Sequence, residues 1–323
     1  MIRVWGPCLL VIALWGSGPA QAQAPFPYKP VRFVVTSPPG GANDTLNRAL
    51  GAKLTDYIGQ PVVIDNRPGA SGFVAAEIVA KAPPDGYTIL TGTEATLVTN
   101  PLLFTRVPYD TQRDFAPVTM TAAVNHVLLV HPALPAATVQ ELIAVARSKP
   151  GRLNYASSGN GSAFHLGMEL FKHMAGVDIV HIPFKGSALS IAAMLSGDVQ
   201  MMLVGTTTGL PLARSGKARA LAMASARRTP LAPELPTIAE AGLPGYAISS
   251  WFGAVVPAAT PAPVIEKLHA DFVRALNAPD LRERLAPGGY EVIANTPREF
   301  STHMLAQSKR LAEIIRLAGI KAE

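Results

Sequence analysis

The sequence predicts an α/β protein of two lobes, each a mainly parallel sheet flanked by helices, linked by two crossover hinge strands. Two observations predict it. Apolar β-branched runs alternate with helical patterns along most of the 323 residues, the mark of layered parallel structure. A plan of strand, glycine-rich loop and helix also recurs in two separate stretches. Extended apolar connectors near 118–128 and 246–257 stand between them, and a cleft closing about such a hinge is where a small molecule would bind.

The elements follow in order. The stretch 31-VRFVVT-36 reads as a strand, and Leu46, Leu50, Leu54 and Ile58 keep the spacing of four that marks a helix near 44–58. Strand 61-PVVIDN-66, turn 67-RPGASG-72 and a helix near 73–81 come next, and 83-PPDGYTILTGT-93 supplies a turn and a third strand. A second body starts near 124-VNHVLLVHP-132. Helix 138–148 leads through 149-KPG-151 to strand 152-RLNYAS-157, and loop 158-SGNG-161 opens a helix near 162–175. Strand 178-DIVHIPF-184, helix 187–196, strand 198-DVQMMLVG-205 and strand 218-ARALAMAS-225 complete the body. The segment 247-AISSWFGAVVP-257 is extended again, and helices near 261–277 and 297–318 close the chain. The expected division is a first lobe over 23–124, a second over 125–246, and a returning hinge strand with C-terminal helices over 247–323.

Residues 1–22 read as a leader. Arg3 gives a positive start, 8-CLLVIALW-15 an apolar centre too short to span a bilayer, and Ala20-Gln21-Ala22 a cleavage site cut after Ala22. The only cysteine, Cys8, precedes the apolar centre, so it does not suit a lipid anchor and leaves with the leader. A thiol-free exported chain fits an oxidising compartment and excludes cysteine nucleophiles, cysteine–zinc sites and iron–sulfur clusters. Past the leader no uninterrupted apolar run reaches about 18 residues, so no spanning helix is expected. The formal charge of +6 is spread along the chain, which suits mild attraction for anions more than a nucleic-acid footprint.

Three loops share a form suited to anions. They are 39–45, with Gly40, Gly41, Asn43 and Asp44; 157–162, with Ser158, Gly161 and Ser162, followed by His165; and 205–209, with Thr206 and Thr207. Each runs from a strand end into a helix start, where unpaired N–H groups and the helix dipole favour a carboxylate or phosphate. An ordinary N-cap explains any one of them equally well. Asp44 either caps its helix, pairs with Arg48 four residues on, or reaches ligand through water. A Ser162–His165 dyad would make the chain a hydrolase, yet no G-x-S-x-G elbow is present. Histidine spacing gives no zinc site, and without G-x-G-x-x-G a dinucleotide has no support, so no cofactor or metal is expected.

In their order and spacing, 38-PPGGANDTLNR-48, 60-QPVVIDNRPGASG-72, 83-PPDGYTIL-90, 99-TNPLLF-104, 157-SSGNGSAFHL-166, 181-HIPFKGSA-188, 216-GKARALA-222, 236-PTIAEAGLPGY-246 and 251-WFG-253 resemble one family. It is the substrate-binding receptors of tripartite tricarboxylate transporters, the Bug-type periplasmic solute receptors, and the resemblance covers essentially the whole chain past the leader. It implies a two-lobed, type II-like periplasmic binding fold that holds a small carboxylate and delivers it to the membrane subunits of a transporter. It implicates Gly40, Gly41, Asn43 and Asp44, then Ser158, Gly161, Ser162 and His165, with Lys185 and Gly186 at the cleft wall and the segment from Thr93 to Thr96 as floor. The resemblance makes Asn66-Arg67-Pro68 a turn and Trp251-Phe252-Gly253 hinge packing. Thr36-Ser37 stand where the family usually has Pro and an aromatic, which implies a roomier or more polar edge at Ser37. Leu203-Val204-Gly205 replace an acid and an amide common in the family, which disfavours an amino-acid ligand; Glu94 either supplies a replacement charge or, the preferred reading, is an exposed residue. The expectation is a monomeric periplasmic receptor with no enzymatic activity; the alternatives are the hydrolase and a receptor that feeds a sensor.

Overall fold

The computed structural model describes residues 26–320, so the leader and its cleavage site lie outside the described residues. The first strand β1 (Val31–Val35) leads into helix α1 (Ala42–Ile58), then β2 (Val62–Asn66), α2 (Phe73–Ala80) and β3 (Thr88–Thr93). Beyond β3 a π-helical turn (Ala95–Thr99) runs into short helices α3 (Asn100–Leu103) and α4 (Thr111–Asp114), and then the long strand β4 (Phe115–Val130). The second lobe continues as α5 (Val139–Ser148), β5 (Asn154–Ser157), α6 (Ala163–Ala175), β6 (Val180–Pro183), α7 (Ser187–Ser196), β7 (Met201–Gly205), α8 (Thr206–Arg214) and β8 (Arg219–Met223). The chain returns through β9 (Ser249–Pro257), α9 (Ala262–Leu276), α10 (Pro279–Leu285), β10 (Tyr290–Val292) and α11 (Pro297–Ala318).

The strands share one continuous path, β2-β1-β3-β9-β4-β7-β5-β6, with β10 and β8 also paired to β4. β1 is parallel to β2 and β3, and β5 is parallel to β6 and β7, whereas β4 and β9 run antiparallel to their neighbours. Two antiparallel strands therefore carry the chain between two parallel sheets. The carboxyl ends of those sheets hold the loops that matter, as in open α/β folds generally.

The sequence divides β4 into a connector and a separate strand, but the structure makes it one element of 16 residues. Most of its residues are buried, and both its edges are paired, so it lacks the alternation that would have revealed its length. The helices α1 and α9 pack on the first sheet around Phe33 and Phe272, whose rings stack at 5.5 Å. Trp251 on β9 is fully buried; it meets Phe300 of α11 edge-on and donates from Nε1 to Gln307 at 3.0 Å. At Gly253 a Cβ would lie 2.2 Å from the Phe300 ring, so the glycine is what lets α11 lie against the hinge strand. The WFG stretch is thus hinge packing. Among the described residues no helix is long and apolar enough to cross a membrane.

Candidate functional site

Loops following β1, β2, β3 and β5 enclose a cleft of about 550 Å³. Thr36, Ser37 and Pro38 come from the first loop, Gly69, Ser71 and Gly72 from the second, and Thr93, Thr96 and Asn100 from the third. Ser158, Gly159, Asn160, Gly161 and Ser162 face them from the other lobe. The structure therefore brings together Ser37, Thr93, Thr96, Ser158, Gly161 and Ser162 of the residues singled out from sequence. The lobes approach each other at this cleft where a Cβ on Gly161, at φ +71°, would lie 2.4 Å from Leu103 Cδ1. Only glycine lets the loop approach so closely in that conformation.

The first loop is held from within. Asp44 is buried and sits inside the first turn of α1, whose N-cap is Gly41 and carries no side-chain cap. Its Oδ2 accepts from the Gly40 amide at 2.8 Å and from Arg48 Nε at 2.9 Å, while Oδ1 accepts from Asn66 Nδ2 at 2.8 Å. Burial pushes the Asp44 pKa up, but the hydrogen bonds from Arg48, Gly40 and Asn66 outweigh it and hold the carboxyl below its ordinary value. Asn43 is equally committed, donating from Nδ2 to the Thr91 carbonyl at 2.7 Å and to Thr36 Oγ1 at 3.2 Å. The Gly41 amide donates to the Pro38 carbonyl at 3.2 Å. These contacts commit the side chains of Asn43 and Asp44 to shaping the loop, and Gly40, Gly41, Asn43 and Asp44 are not among the residues that border the cleft. What the loop offers is Ser37, whose buried Oγ has no hydrogen-bond partner among the described residues.

The second loop rests on two stacked histidines. Ser162 is the N-cap of α6, its Oγ accepting from the His165 amide at 3.3 Å. The Gly161 amide donates to His165 Nδ1 at 3.0 Å, which fixes the proton of the neutral ring on Nε2. His165 lies on His181 with ring centroids 3.8 Å apart, and His181 shares a 2.7 Å hydrogen bond with Ser157 Oγ. Ser157 Oγ in turn receives the Gly159 amide at 3.2 Å. Burial, assisted by Lys172, lowers the His165 pKa to about 4, and burial with the neighbouring His165 does the same for His181. Both imidazoles are neutral props beneath the loop at neutral pH. His165 is not among the residues that border the cleft; it holds the loop from the side of His181. The ring nitrogen nearest the loop is taken by an amide, so the Ser162–His165 pairing is a helix cap and not a nucleophile with its base.

Other expectations separate from the cleft. Gly186 donates its amide to the Ser158 carbonyl at 3.3 Å and starts α7, so it braces the second loop from behind, and Lys185 beside it is exposed. Thr206 and Thr207 begin α8 and pack against the other lobe at Gly289, where a Cβ would come within 2.8 Å of Thr207 Cγ2. They form an interlobe seam outside the cleft lining. Glu94 is buried, not exposed: it accepts a hydrogen bond from Thr99 Oγ1, and burial, which that bond only partly offsets, raises its pKa to about 7. Its place is beneath the floor, where Thr93 Oγ1 accepts from the Thr96 amide at 3.2 Å.

Sequence reasoning missed the loop after β2 as a ligand surface. Pro68, Gly69, Ser71 and Gly72 line the cleft, and Asn100 Nδ2 donates to the Ser71 carbonyl at 2.7 Å. Ser71 holds φ +55° and Gly72 φ +87°. The signal was present, since this loop has the same strand, glycine and helix plan as the others.

Residues 46–320 match the model of the tripartite tricarboxylate transporter family receptor. The chain belongs to that family. Among relatives of this tripartite tricarboxylate receptor, a Pseudomonas sp. protein encoded in the tcbD-tcbE intergenic region is 37% identical over 297 residues, covering 92% of this chain and 88% of its own. Protein BugT of Bordetella pertussis is 33% identical over 99% of both chains. Of solved receptor structures, R. palustris Rpa4515 with adipate has 38% identity and a TM-score of 0.77, covering 92% of this chain and 99% of its own. MatC of Rhodopseudomonas palustris with bound malate has 32% identity and a TM-score of 0.72, covering 90% and 100%. In the present receptor no Asp, Glu, Lys or Arg lines the cleft among the described residues. Its polar lining is made of hydroxyls, side-chain amides and backbone, beside the apolar Leu103 and Phe104.

Proposed function

We propose that this receptor is exported to the periplasm, binds a small carboxylate or dicarboxylate in the interlobe cleft, and delivers it to a tripartite tricarboxylate-type membrane transporter. The observation that carries the reading is the cleft lining. Neutral donors converge from both lobes, Ser37 and Ser71 on one side and Ser158 and Ser162 on the other, with Ser37 Oγ buried and lacking a partner. A buried hydroxyl without a partner is unfavourable until a ligand supplies one. The first-turn amides of α1 and α6 add their dipoles to the same end of the molecule. Chain termini of a carboxylate need only such donors, whereas an ammonium group would find no carboxylate partner in the lining. The adipate and malate of the related structures belong to the class that these features suit.

A thermal-shift screen of mono-, di- and tricarboxylates against neutral sugars and cations tests the reading. A ligand at 100-fold over its Kd should add about 2.7 kcal/mol to stability, a rise in Tm that is easily read. Stabilisation by sugars or cations, with none from any carboxylate, would overturn it.

A further inference from the structure

A single helical layer separates the ligand cleft from a second hollow. The groove on its far side has a volume of about 860 Å³ and is bounded by Pro101, Val107, Tyr109 and, from α11, Met304 and Leu305. The layer is the stretch 95–104, and its helical period sorts the side chains. Thr96, Asn100 and Leu103 turn to the cleft, and Leu97, Val98 and Pro101 to the groove. Phe104 alone borders both hollows. It ends α3 in an extended conformation, its amide donates to the Asn100 carbonyl at 3.0 Å, and its ring meets Phe73 edge-on at 5.1 Å. Phe73 follows Gly72 at the start of α2, so one aromatic pair joins two cleft loops into a plug.

We propose that Phe104 determines how long a ligand the receptor accepts, by closing the cleft off from the neighbouring groove. The head of the ligand meets the hydroxyl-rich end, and its chain runs toward Leu103 and Phe104, the two large apolar side chains of the lining. A chain that reaches the Phe104 ring must stop there. With the ring removed, the same chain continues into a groove of mixed lining, where Asp110, Gln112 and Arg113 stand beside the apolar wall of Pro101, Val107, Met304 and Leu305, and each further methylene buried against that wall should tighten binding about fourfold.

Because this role rests on the cleft being the carboxylate site, the test must separate the two. Calorimetric affinities are measured for dicarboxylates and phenyl-terminated carboxylates of increasing length, and for the matching primary amides, with the wild type, Phe104→Ala and Phe104→Trp. Affinity should rise with length and then collapse at a cutoff. Phe104→Ala should move that cutoff to longer ligands and tighten the first excluded ones at least about tenfold, while Phe104→Trp moves it to shorter ones. Phe104→Leu, which keeps apolar contact with Phe73, carries the same test if the alanine variant does not fold. One cutoff shared by all variants overturns the role of Phe104. Amides binding as well as acids would overturn the carboxylate reading while a shifted cutoff kept Phe104 in its role. No binding of either series by any variant would remove both.

Discussion

Glu94 sets burial against charge directly beneath the floor of the cleft. Its carboxyl is shielded from water and has Thr99 Oγ1 as its donor, so burial raises its pKa from 4.5 to about 7. The folded state then holds a proton that the unfolded chain releases near 4.5. Stability from this group is complete below about pH 4.5, declines as pH rises toward 7, and levels off above that, a loss of roughly 3 kcal/mol. Glu94→Gln keeps an oxygen for Thr99 and removes the titration. Urea denaturation at pH 5 and pH 8 should show the wild type losing about 2–3 kcal/mol more than the variant between the two. Equal losses in both proteins would mean that Glu94 is charged in the fold. The sequence gives no hint of this burial, because an acid in the polar stretch 93-TEATLVT-99 reads as solvated. A π-helical turn begins at the next residue and Glu94 is its N-cap, so its orientation comes from an irregular backbone that no hydrophobic period announces.

At the scale of elements, Asp44 and Asn66 clip the loop between β1 and α1 to the end of β2. Asn66 Nδ2 reaches both Asp44 Oδ1 and, at 3.0 Å, the carbonyl of Ser37, while its Oδ1 accepts from Arg48 Nη2 at 3.0 Å. Asp44→Ala would leave the Gly40 amide and Asn66 without their acceptor, a loss of roughly 2–4 kcal/mol, read as a lower denaturation midpoint. The freed Ser37 should weaken carboxylate binding several-fold, with Asp44→Asn intermediate in both measurements. Binding lost with stability intact would instead place Asp44 against the ligand. The alternation of strands and helices was legible because each parallel sheet turns buried β-branched runs toward flanking helices. Loops 36–41 and 157–162 were legible too, since glycine at a strand end before a helix has few other uses. Which of their residues face the cleft was not. That depends on acceptors brought from elsewhere in the chain, as Asn66 and Thr91 are for the first loop and His165 for the second. The 67–72 loop reads from sequence only as a turn, and it is its place beside Asn100 and opposite the Ser158–Ser162 loop that puts it on the cleft.

For the whole molecule, the path of the chain decides how a ligand is held. Both β4 and β9 pass between the lobes and pair along most of their length, from Phe115 opposite Pro257 to Asn125 opposite Ser249. Register irregularities between Pro117 and Thr119 and between Met120 and Ala122 fall within this ribbon, which gives it places to bend. Beside it the lobes also meet through Leu103 on Gly161, Thr206 and Thr207 on Gly289, the Arg227–Glu291 ion pair, Arg310 Nη2 on the Gly245 carbonyl, and α11 on α6. A ligand bridging Ser37 and Ser71 to Ser158 and Ser162 would bind the closed arrangement better than an open one, and so shift the population toward it. Hydrogen exchange with and without a bound dicarboxylate reads this directly. Slowed exchange is expected in 36–41, 67–72 and 93–104 of one lobe and in 157–165 of the other, with β1 and β7 unchanged because they are already protected in the core. All of the cleft segments should respond together, since each hydrogen bond across the gap exists only when both lobes meet the ligand. Protection confined to one lobe would mean that the ligand sits on a single loop cluster, and the receptor would then bind without closing.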